Sequence, residues 1–487
     1  MSSGRPEGGS AVLVSAPFPF TLRNFIPTGL LRELGRRFDL RIQFVSPYEQ
    51  ASFADAAGHT YPNWPVRAGE PLGGIPSVAG VTVLDRALKS LHLTGFALEY
   101  PDGSLQNLEL SRRASTQRLI AGALLRLAPR GGARRDWLRR LYGLYRPSRA
   151  EIRAAFDAVR PSFVLVASPG HFWLDHFMLD EARRRGIPSV CIVLSWDNLY
   201  SRGPLCRRPD YLLVWSEQMR RQAIEVHQFP ADRITVVGPL QFRFYDTPVS
   251  AAERGAMRAR VGLGPDEPYL AYICGARTSE YDVEDVLAML AQLGRGPYAH
   301  LRVVVRPHPQ GSRAAYQRLL DRGVLLDPSP DLTSAQTRPE VIDAGAVRHM
   351  ASLLQGARFV LSSWGTTALL EACIVDTPAV QLRWMDTVPH AVEDEVRKVR
   401  DFQRYLHMRD FDATGARPYC DDPEELNATL AELEARRDEY AARRATAVAR
   451  LTCLPLGGVI ERVCEAVRPV AGGPLTARAR VRLQTAP

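Results

Sequence analysis

Short apolar runs alternate along this chain with longer segments whose apolar positions recur at the spacing of a helix. In the first half, runs of the strand type cover residues 11–16, 41–46, 163–167, 189–194, 211–215 and 234–237. In the second half, they cover residues 269–274, 301–306, 323–326, 358–361 and 378–382. Strands that alternate with helices pair as a parallel sheet covered on both faces, so the pattern predicts an α/β protein.

The two series are separated by a stretch rich in proline and charge, residues 246–267, which we predict to be a linker. We expect an N-terminal Rossmann-like domain over residues 1–245 and a second one over residues 268–470, each doubly wound and facing the other across a cleft. Helices complete the second domain. The small, polar and basic tail over residues 471–487 is predicted to be disordered.

A helical, arginine-rich insertion, residues 111–153, interrupts the alternation in the first domain and carries Trp137, Tyr142 and Tyr145 between its arginines. One interpretation is a solvated helical hairpin that covers the first domain. Another is contact with anionic lipid head groups, to which each basic side chain contributes about 1 kcal/mol. Nucleic acid is the weakest interpretation, because no nucleic-acid-binding fold signature accompanies the charge.

The composition, with 46% hydrophobic and 24% charged residues, is that of a soluble globular protein. No run reaches the roughly 18 apolar residues of a membrane-spanning helix, and we expect neither a span nor a secretory signal. The seven cysteines have neither C-x-x-C nor zinc spacing, which favours a reduced, cytoplasmic compartment. Lys89 and Lys398 are the only lysines, and neither follows a glycine as in a P-loop. ATP hydrolysis by a P-loop is therefore excluded. Schiff-base chemistry on a lysine is discounted, because only these two residues could perform it.

A rigid histidine loop follows the predicted strand 301–306. In Arg306-Pro307-His308-Pro309, each proline forces the residue before it toward an extended conformation. His308 is therefore held at the carboxyl end of a parallel strand, where open α/β sheets bind ligands. The plainer alternative is that His308 caps the following helix.

A second anion-binding element follows the predicted strand 358–361, where residues 362–367 (SSWGTT) lead into a helix that carries Glu371. Hydroxyls and free N–H groups at a helix N-terminus attract phosphate, and Glu371 would accept hydrogen bonds from ribose hydroxyls. A Ser/Thr N-cap followed by an ordinary helical glutamate is the alternative. Together with the histidine loop, the segment favours a nucleotide. The residues of this element predicted to bind it are Ser362, Ser363, Gly365, Thr366, Thr367 and Glu371.

The loop after the predicted strand 269–274 is a weaker third element. It places Arg277 and Thr278 beside small residues at a strand's carboxyl end, and Arg277 would pair with a phosphate.

These residues carry a resemblance to the GT-B glycosyltransferase superfamily, particularly its branch of CDP-glycerol glycerophosphotransferase-like and surface-polysaccharide enzymes. The element Arg306 to Pro309 resembles that branch, and residues 362–372 resemble its Ser-Gly-Thr…Leu-Glu-Ala donor element. The resemblance implies that His308 and the Ser/Thr turn contact the donor phosphate and that Glu371 contacts ribose. Trp364 departs from the pattern, because it separates Ser363 from Gly365.

The first half supplies the candidate catalytic residues. The segment 193–203 (VLSWDNLYSRG) resembles an element of surface-carbohydrate enzymes, and its Asp197 is a candidate general base for an acceptor hydroxyl. Asp197 is equally well interpreted as a turn residue, and His171 is a rival base. Arg23 and Asn24, after the first strand, are candidates to hold the acceptor or the departing phosphate.

No metal site is predicted. No convincing D-x-D motif follows a strand, and His171 and His176 are five residues apart, whereas the two histidines of H-E-x-x-H are four apart.

The leading hypothesis is therefore a metal-independent GT-B glycosyltransferase of surface glycan or glycoconjugate biosynthesis, with a nucleotide-sugar donor as substrate and no other cofactor. The expected acceptor is a glycan, a lipid-linked compound or a small molecule; nucleic acid is not an expected partner. The expected location is the cytoplasm, with the inner face of the membrane as a peripheral contact. Alternatives are a CDP-polyol phosphotransferase, an isomerase like the UDP-sugar 2-epimerases and a non-catalytic nucleotide-binding protein.

Overall fold

A computed structural model of the protein describes residues 10–72, 75–99, 126, 129, 132–145, 148–168, 172–201, 205, 207–276, 278–308, 311–328, 341–342, 344–365, 367–403 and 405–471. Two sheets dominate it. The first runs in the order β10-β9-β8-β7-β1-β2-β4-β3-β14, and the second in the order β13-β12-β11-β15-β16-β17. Neighbouring strands are parallel throughout both sheets except for the antiparallel pair β3 and β4.

The strands of the first sheet other than β14, and those of a small antiparallel hairpin, β5 and β6, precede residue 237. Their bounds are β1 Ala11–Ser15, β2 Arg41–Ser46, β3 Ser52–Asp55, β4 Thr60–Pro65, β5 Ala68–Leu72, β6 Ile75–Val78, β7 Phe163–Val166, β8 Ser189–Ile192, β9 Tyr211–Val214 and β10 Ile234–Val236.

The later strands build the second sheet, apart from β14. Their bounds are β11 Tyr269–Ile273, β12 Arg302–Arg306, β13 Leu325–Leu326, β14 Val341–Ile342, β15 Phe359–Ser362, β16 Ala379–Leu382 and β17 Tyr419–Cys420.

Helices cover the faces of both sheets. Those before the linker are Pro19–Phe25, Leu30–Phe38, Val83–Glu99, Gly132–Leu144, Ala150–Val159, Trp173–Arg185, Asn198–Ser201 and Glu217–Glu225. Those after it begin with the linker's own helix and are Ala251–Val261, Ser279–Leu293, Arg313–Leu320, Gly345–Gly356, Thr367–Ile374, Glu393–Gln403, Leu406–Asp412, Leu426–Ala435, Arg437–Leu451 and Val459–Ala471. Four short 3-10 helices are Ala231–Arg233, Leu240–Tyr245, Pro423–Glu425 and Leu456–Gly458.

The central strands are buried on both faces, as parallel sheets between helices require. Every residue of β1 (AVLVS) and β11 (YLAYI) is buried. This explains why their sequences are continuous apolar runs instead of alternating ones. The predicted fold class is confirmed: the protein has two doubly wound, Rossmann-like α/β units.

The segment between the sheets is more ordered than a linker. Ser250 begins the helix Ala251–Val261 with a capping box, in which its hydroxyl accepts from the backbone N–H of Glu253 and the carboxylate of Glu253 accepts in return. Arg348 then fastens this segment, because its guanidinium bonds Glu253 and the carbonyls of Phe244 and Thr247. The linker is therefore packed against the second unit.

Two segments cross between the units, which the sequence pattern did not indicate. The C-terminal helix Val459–Ala471, assigned above to the second domain, instead packs into the core of the first, where Val463 and Val467 are fully buried. The strand β14, which follows β13 in the chain, pairs with β3 at the edge of the first sheet through Val341 opposite Ala54. The chain therefore passes between the units four times: after the linker, into β14, out of β14 and into the C-terminal helix.

The arginine-rich insertion is described only in part, over the helix Gly132–Leu144 and its flanks, and the predicted disordered tail lies outside the described residues apart from Ala471. Within the described ranges, no helix combines the length and apolar character needed to cross a bilayer.

Candidate active site at the facing sheet edges

The order of the strands marks one ligand crevice in each unit. In the first sheet, β2 lies on one side of β1 and β7 on the other, so the order in which strands are added reverses between β1 and β7. In the second sheet, the order reverses in the same way between β11 and β15. In open parallel sheets, ligands bind beyond the carboxyl ends of the strands at such a switch point. The crevices are therefore expected at the loops after Ser15 and Val166 in the first unit and after Ile273 and Ser362 in the second.

A buried carboxylate joins the two strand ends of the first switch point. Asp175 accepts a hydrogen bond of 2.5 Å from the hydroxyl of Ser15, which ends β1. It also accepts bonds from the backbone N–H of Ser168, at 3.0 Å, and from the Ser168 hydroxyl. Ser168 follows β7, so one fully buried side chain holds both loops of the crevice in place.

Asp175 is expected to make stability depend on pH. Burial raises its pKa from 3.8 to about 7, although the bonds from Ser15 and Ser168 lower it. Between these values the folded protein holds a proton that the unfolded chain has lost. Stability is thus greatest below about pH 4 for this group and is lost as the pH rises through 7.

Asp175→Asn imitates the protonated acid and should remove this component, which is at most about 4 kcal/mol for a shift of this size. Urea unfolding at pH 5 and pH 8 measures it: relative to wild type, the variant should gain stability at the higher pH. Asp157→Asn, on an exposed carboxylate paired with Arg185, is the control. If the free energy of unfolding of Asp175→Asn differed from that of wild type by the same amount at both pH values, the raised pKa of Asp175 would be contradicted.

Two buried carboxylates support the second switch point in a similar way. Asp282 accepts from the backbone N–H of Gly275 at 3.1 Å, from the Thr278 hydroxyl at 3.0 Å and from the Tyr272 hydroxyl at 3.1 Å. Burial raises the pKa of Asp282 well above its ordinary value. The loop after β11 is thereby tied to the helix Ser279–Leu293.

Asp285, one turn further along that helix, supports the other loop. It accepts from the hydroxyl of Ser363 and from Nε2 of His390, the latter at 2.9 Å. Ser362, which is also fully buried, donates its hydroxyl to the carbonyl of Ile273 at 2.8 Å.

The hydroxyls of Thr278, Ser362 and Ser363 therefore bind protein partners in this structure, and all three residues are buried. Ser363 therefore does not line an open surface, whereas the sequence analysis expects its hydroxyl to contact the donor phosphate. The prediction that this turn binds the donor phosphate stays a prediction, and it now relies on backbone N–H groups instead of these hydroxyls.

Gly365 and Trp364 explain the unusual sequence of the turn. Gly365 has a φ of +64°, a left-handed conformation that favours glycine, and a Cβ there would lie 2.5 Å from Cε of Met408, which would have to shift. The indole of Trp364 stacks on Phe402, with ring centroids 4.8 Å apart. On its other side it approaches Gly275 so closely that a Cβ would lie 2.9 Å from the indole. Trp364 thus packs into the second unit, which accounts for its place between Ser363 and Gly365.

A cluster of charged side chains spans the cleft between the two switch points. Arg23, in the helix after β1, interacts electrostatically with Glu371 and Arg306 of the second unit. Tyr245, at the end of the 3-10 helix before the linker, donates its hydroxyl to Glu371. Burial raises the pKa of Glu371, while Tyr245, Arg23 and Arg306 lower it.

Arg23 is the open member of this cluster. It is half-buried, and its guanidinium stacks 5.0 Å above the ring of Phe20. No described residue forms a hydrogen bond or an ion pair with it. A guanidinium with its donors unused in a partly dehydrated cleft is a site for an anion.

Arg306, in contrast, has an ion-pair partner within its own unit. It pairs with Asp327, whose other oxygen bonds Nε2 of His349 at 2.8 Å. Asp327 is fully buried, and these partners hold its pKa below the ordinary value although burial opposes them. Arg306 is therefore fixed in direction at the end of β12.

Asp197 lies at a second contact between the units. It is buried, accepts a hydrogen bond from the Ser195 hydroxyl and lies close enough to His407 to influence its titration. Burial lowers the pKa of His407 to about 4, against the effect of Asp197, so this imidazole is neutral at pH 7. Trp196 packs edge-on against His407, with ring centroids 4.9 Å apart.

The remaining predicted residues are placed less fully. His308 is half-buried in the loop after β12, where its carbonyl accepts from the N–H of Gly311 at 2.7 Å. Thr367 begins the helix that carries Glu371, and its side chain bonds that carboxylate. His171, Arg277 and Thr366 lie outside the described residues.

Sequence reasoning missed Tyr245, Asp285 and His407, which have no motif around them and meet the site only through tertiary contacts. Among the described residues, His, Cys, Asp and Glu side chains form no group of three that would hold a metal ion.

No protein-family model matches the chain, and no curated protein matches it in sequence. Solved structures are similar over almost its whole length. The glycotransferase of kitacinnamycin is 14% identical, with 96% of this chain and 100% of that chain covered and a TM-score of 0.49. The UDP-GlcNAc 2-epimerase of Neisseria meningitidis is 12% identical, with 94% and 99% covered and a TM-score of 0.48. The wall teichoic acid polymerase TagF is 10% identical, with 95% and 89% covered and a TM-score of 0.45. At these identities the likeness concerns the fold alone.

Proposed function

We propose that this protein is a glycosyltransferase that moves a sugar from a nucleotide-activated donor to a hydroxyl of an acceptor. The donor binds the second unit and the acceptor binds the first. The observation that carries the proposal is a cluster in which Tyr245 donates its hydroxyl to Glu371, and in which Arg23 and Arg306 lower the pKa of Glu371 electrostatically. The cluster combines Arg23, which has no hydrogen-bond or ion-pair partner among the described residues, with an arginine fixed by Asp327 and a carboxylate.

Each member of this cluster suits one part of a nucleotide-linked sugar. Arg23 and Arg306 would bind the phosphates, together with His308, Arg277 and the N–H groups at the start of the helix after Ser362. Glu371, once it is freed from or shared with Tyr245, would accept hydrogen bonds from ribose hydroxyls.

In the transfer step, the acceptor oxygen forms a bond to the anomeric carbon, and the bond from that carbon to the phosphate oxygen breaks. The electron pair leaves with the nucleotide phosphate, where Arg23 stabilises the added charge. The proton of the acceptor hydroxyl passes to a base, for which we propose Asp197, with His171 as its rival.

A thermal-shift panel of UDP, CDP, CMP, GDP and dTDP tests the proposal. A nucleotide at 100 times its dissociation constant adds about 2.7 kcal/mol to the free energy of unfolding. We expect one base to stabilise the protein clearly more than the others, and an Arg23→Gln variant to lose part of that gain. The absence of stabilisation by every nucleotide would refute the proposal.

Turnover of the identified donor then separates the alternatives. A glycosyltransferase consumes the sugar nucleotide only with an acceptor, whereas an epimerase converts it alone. A polyol phosphotransferase releases CMP instead of a nucleoside diphosphate. Binding without turnover in every case would indicate a non-catalytic nucleotide-binding protein.

We also propose a peripheral contact with an anionic membrane, through the helices Val83–Glu99 and Gly132–Leu144. Leu144 and Val83 are exposed to 86% and 82%. A hydrogen bond of 3.1 Å between the hydroxyls of Thr82 and Tyr145 brings these helix ends together. Flotation with phosphatidylglycerol vesicles at low salt, where screening is weakest, should carry the protein upward, and phosphatidylcholine vesicles should not. If neither does, the segment is a solvated cover, and the glycosyltransferase proposal is unaffected.

A further inference from the structure

Three phenylalanine rings line the first switch point in one continuous stack. The rings of Phe18 and Phe172 lie 4.4 Å apart between centroids with their planes inclined by 25°. Phe18 and Phe20 continue the stack at 5.9 Å and 24°. Phe18 follows β1 and Phe172 follows β7, so the rings lie across the point where ligands bind in such a sheet. We call Phe18, Phe20 and Phe172 the phenylalanine stack.

Packing of the hydrophobic core does not account for this arrangement. All three rings are only half-buried. Phe20 rests against the core of the first unit, whereas Phe18 and Phe172 belong to none of the buried clusters formed by the described residues. Two neighbouring large apolar rings that contact each other but not a core present apolar surface at the mouth of a crevice.

The stack leads to the proposed transfer site. Arg23 lies 5.0 Å above the ring of Phe20, and Arg23 also faces Glu371 and Arg306 across the cleft. A molecule held against the rings would therefore reach the place where the sugar is released from the donor.

We propose that the phenylalanine stack binds the acceptor and that the acceptor is a flat aromatic molecule that carries a hydroxyl. This inference deepens the proposed function and rests on it. Aromatic rings favour stacked partners with centroids roughly 4.5 to 7 Å apart. The two pairs within the stack, at 4.4 and 5.9 Å, lie at the lower limit of this range and inside it. Phenylalanine side chains offer no hydrogen bonds, whereas a polyhydroxylated sugar acceptor would need many polar partners once it is dehydrated.

The test is direct binding of 4-methylumbelliferone, a planar phenol, measured by calorimetry on the full chain without any donor. Methyl β-glucopyranoside and farnesol serve as a polar and an aliphatic comparison. We expect 4-methylumbelliferone to bind and the other two to bind at least 10-fold more weakly.

Phe18→Leu and Phe172→Leu keep the apolar volume but remove the ring. Each should weaken 4-methylumbelliferone about 3- to 10-fold, the range that stacking energies imply. Phe38→Leu is the matched control, because Phe38 is a half-buried ring of the same unit that lies beside Arg468 instead of the cleft.

The outcomes are decisive for the acceptor. The inference would be overturned if 4-methylumbelliferone did not bind wild type. It would also be overturned if both leucine variants bound it as tightly as wild type. If farnesol bound more tightly than 4-methylumbelliferone and the leucine variants kept that affinity, the surface would be assigned to an aliphatic chain. That result would also overturn the inference. The nucleotide panel is run on the same samples: nucleotide binding without phenol binding refutes only the acceptor class, and phenol binding without nucleotide binding refutes only the proposed transfer.

Discussion

Replacement of Asp197 by asparagine is expected to lower the rate of transfer about 100- to 10,000-fold, which is the usual cost of losing a general base. The change keeps the volume of the side chain and its hydrogen bond with the Ser195 hydroxyl, but it removes the capacity to take a proton. The affinity for the nucleotide should stay nearly the same, because Asp197 lies in the loop after β8 of the first unit, whereas the proposed nucleotide site is in the second.

Steady-state kinetics with the identified donor and acceptor measure this effect, and a pH profile separates a base from a residue that merely shapes its turn. In wild type the rate should fall at low pH as the base becomes protonated, and that fall should vanish in Asp197→Asn. Asp157→Asn, which alters an exposed aspartate of the same unit, should change neither. A fully active Asp197→Asn variant would transfer the role to His171.

Replacement of Arg23 by glutamine should lower turnover about 100- to 1,000-fold, or roughly 3 to 4 kcal/mol of transition-state stabilisation. The leaving phosphate gains negative charge as the bond to the sugar breaks, so an interaction with a cation is strongest in the transition state. The effect on the turnover number should therefore exceed the effect on donor affinity. The turnover number of Arg23→Lys should lie between those of wild type and Arg23→Gln, because lysine keeps the charge but lacks the planar donors of the guanidinium.

The control for Arg23 is Arg36→Gln, which removes a solvent-exposed arginine of the same unit that pairs with Glu33. It should leave turnover unchanged. Equal losses in the two variants would indicate a general effect of charge instead of a contact with the phosphate. An Arg23→Gln variant with normal turnover would remove the main support for the proposed function.

The fold followed from the sequence because its signals are local. Runs such as β1 and β11 are mostly apolar and buried at every position, since both faces of a parallel strand are covered, and such runs alternate with helical segments. The short strands β14 and β17 have only two residues each, too few for any pattern, and they depend on backbone pairing with strands distant in the chain.

The helix Val459–Ala471 shows a different limit of the sequence. Its apolar stripe predicts correctly that it is a helix, but an apolar stripe does not specify which core covers it. In the structure it returns to the first unit, where Arg37 on the helix Leu30–Phe38 pairs with Glu461. Chain order alone assigned it to the second.

The candidate site divides along the same line. The sequence alone predicts which loops are candidates to carry chemistry, because prolines around His308, the turn before Glu371 and the position of Arg23 are properties of neighbouring residues. Tertiary structure determined what those side chains contact: Ser363 turns inward to Asp285, and Glu371 meets Tyr245. Arg23, from the other unit, has no hydrogen-bond partner among the described residues. Hydrogen bonds and charge interactions act over a few ångströms in space, whatever the distance along the chain. Partners 78 and 126 residues apart therefore leave no periodic trace in the sequence.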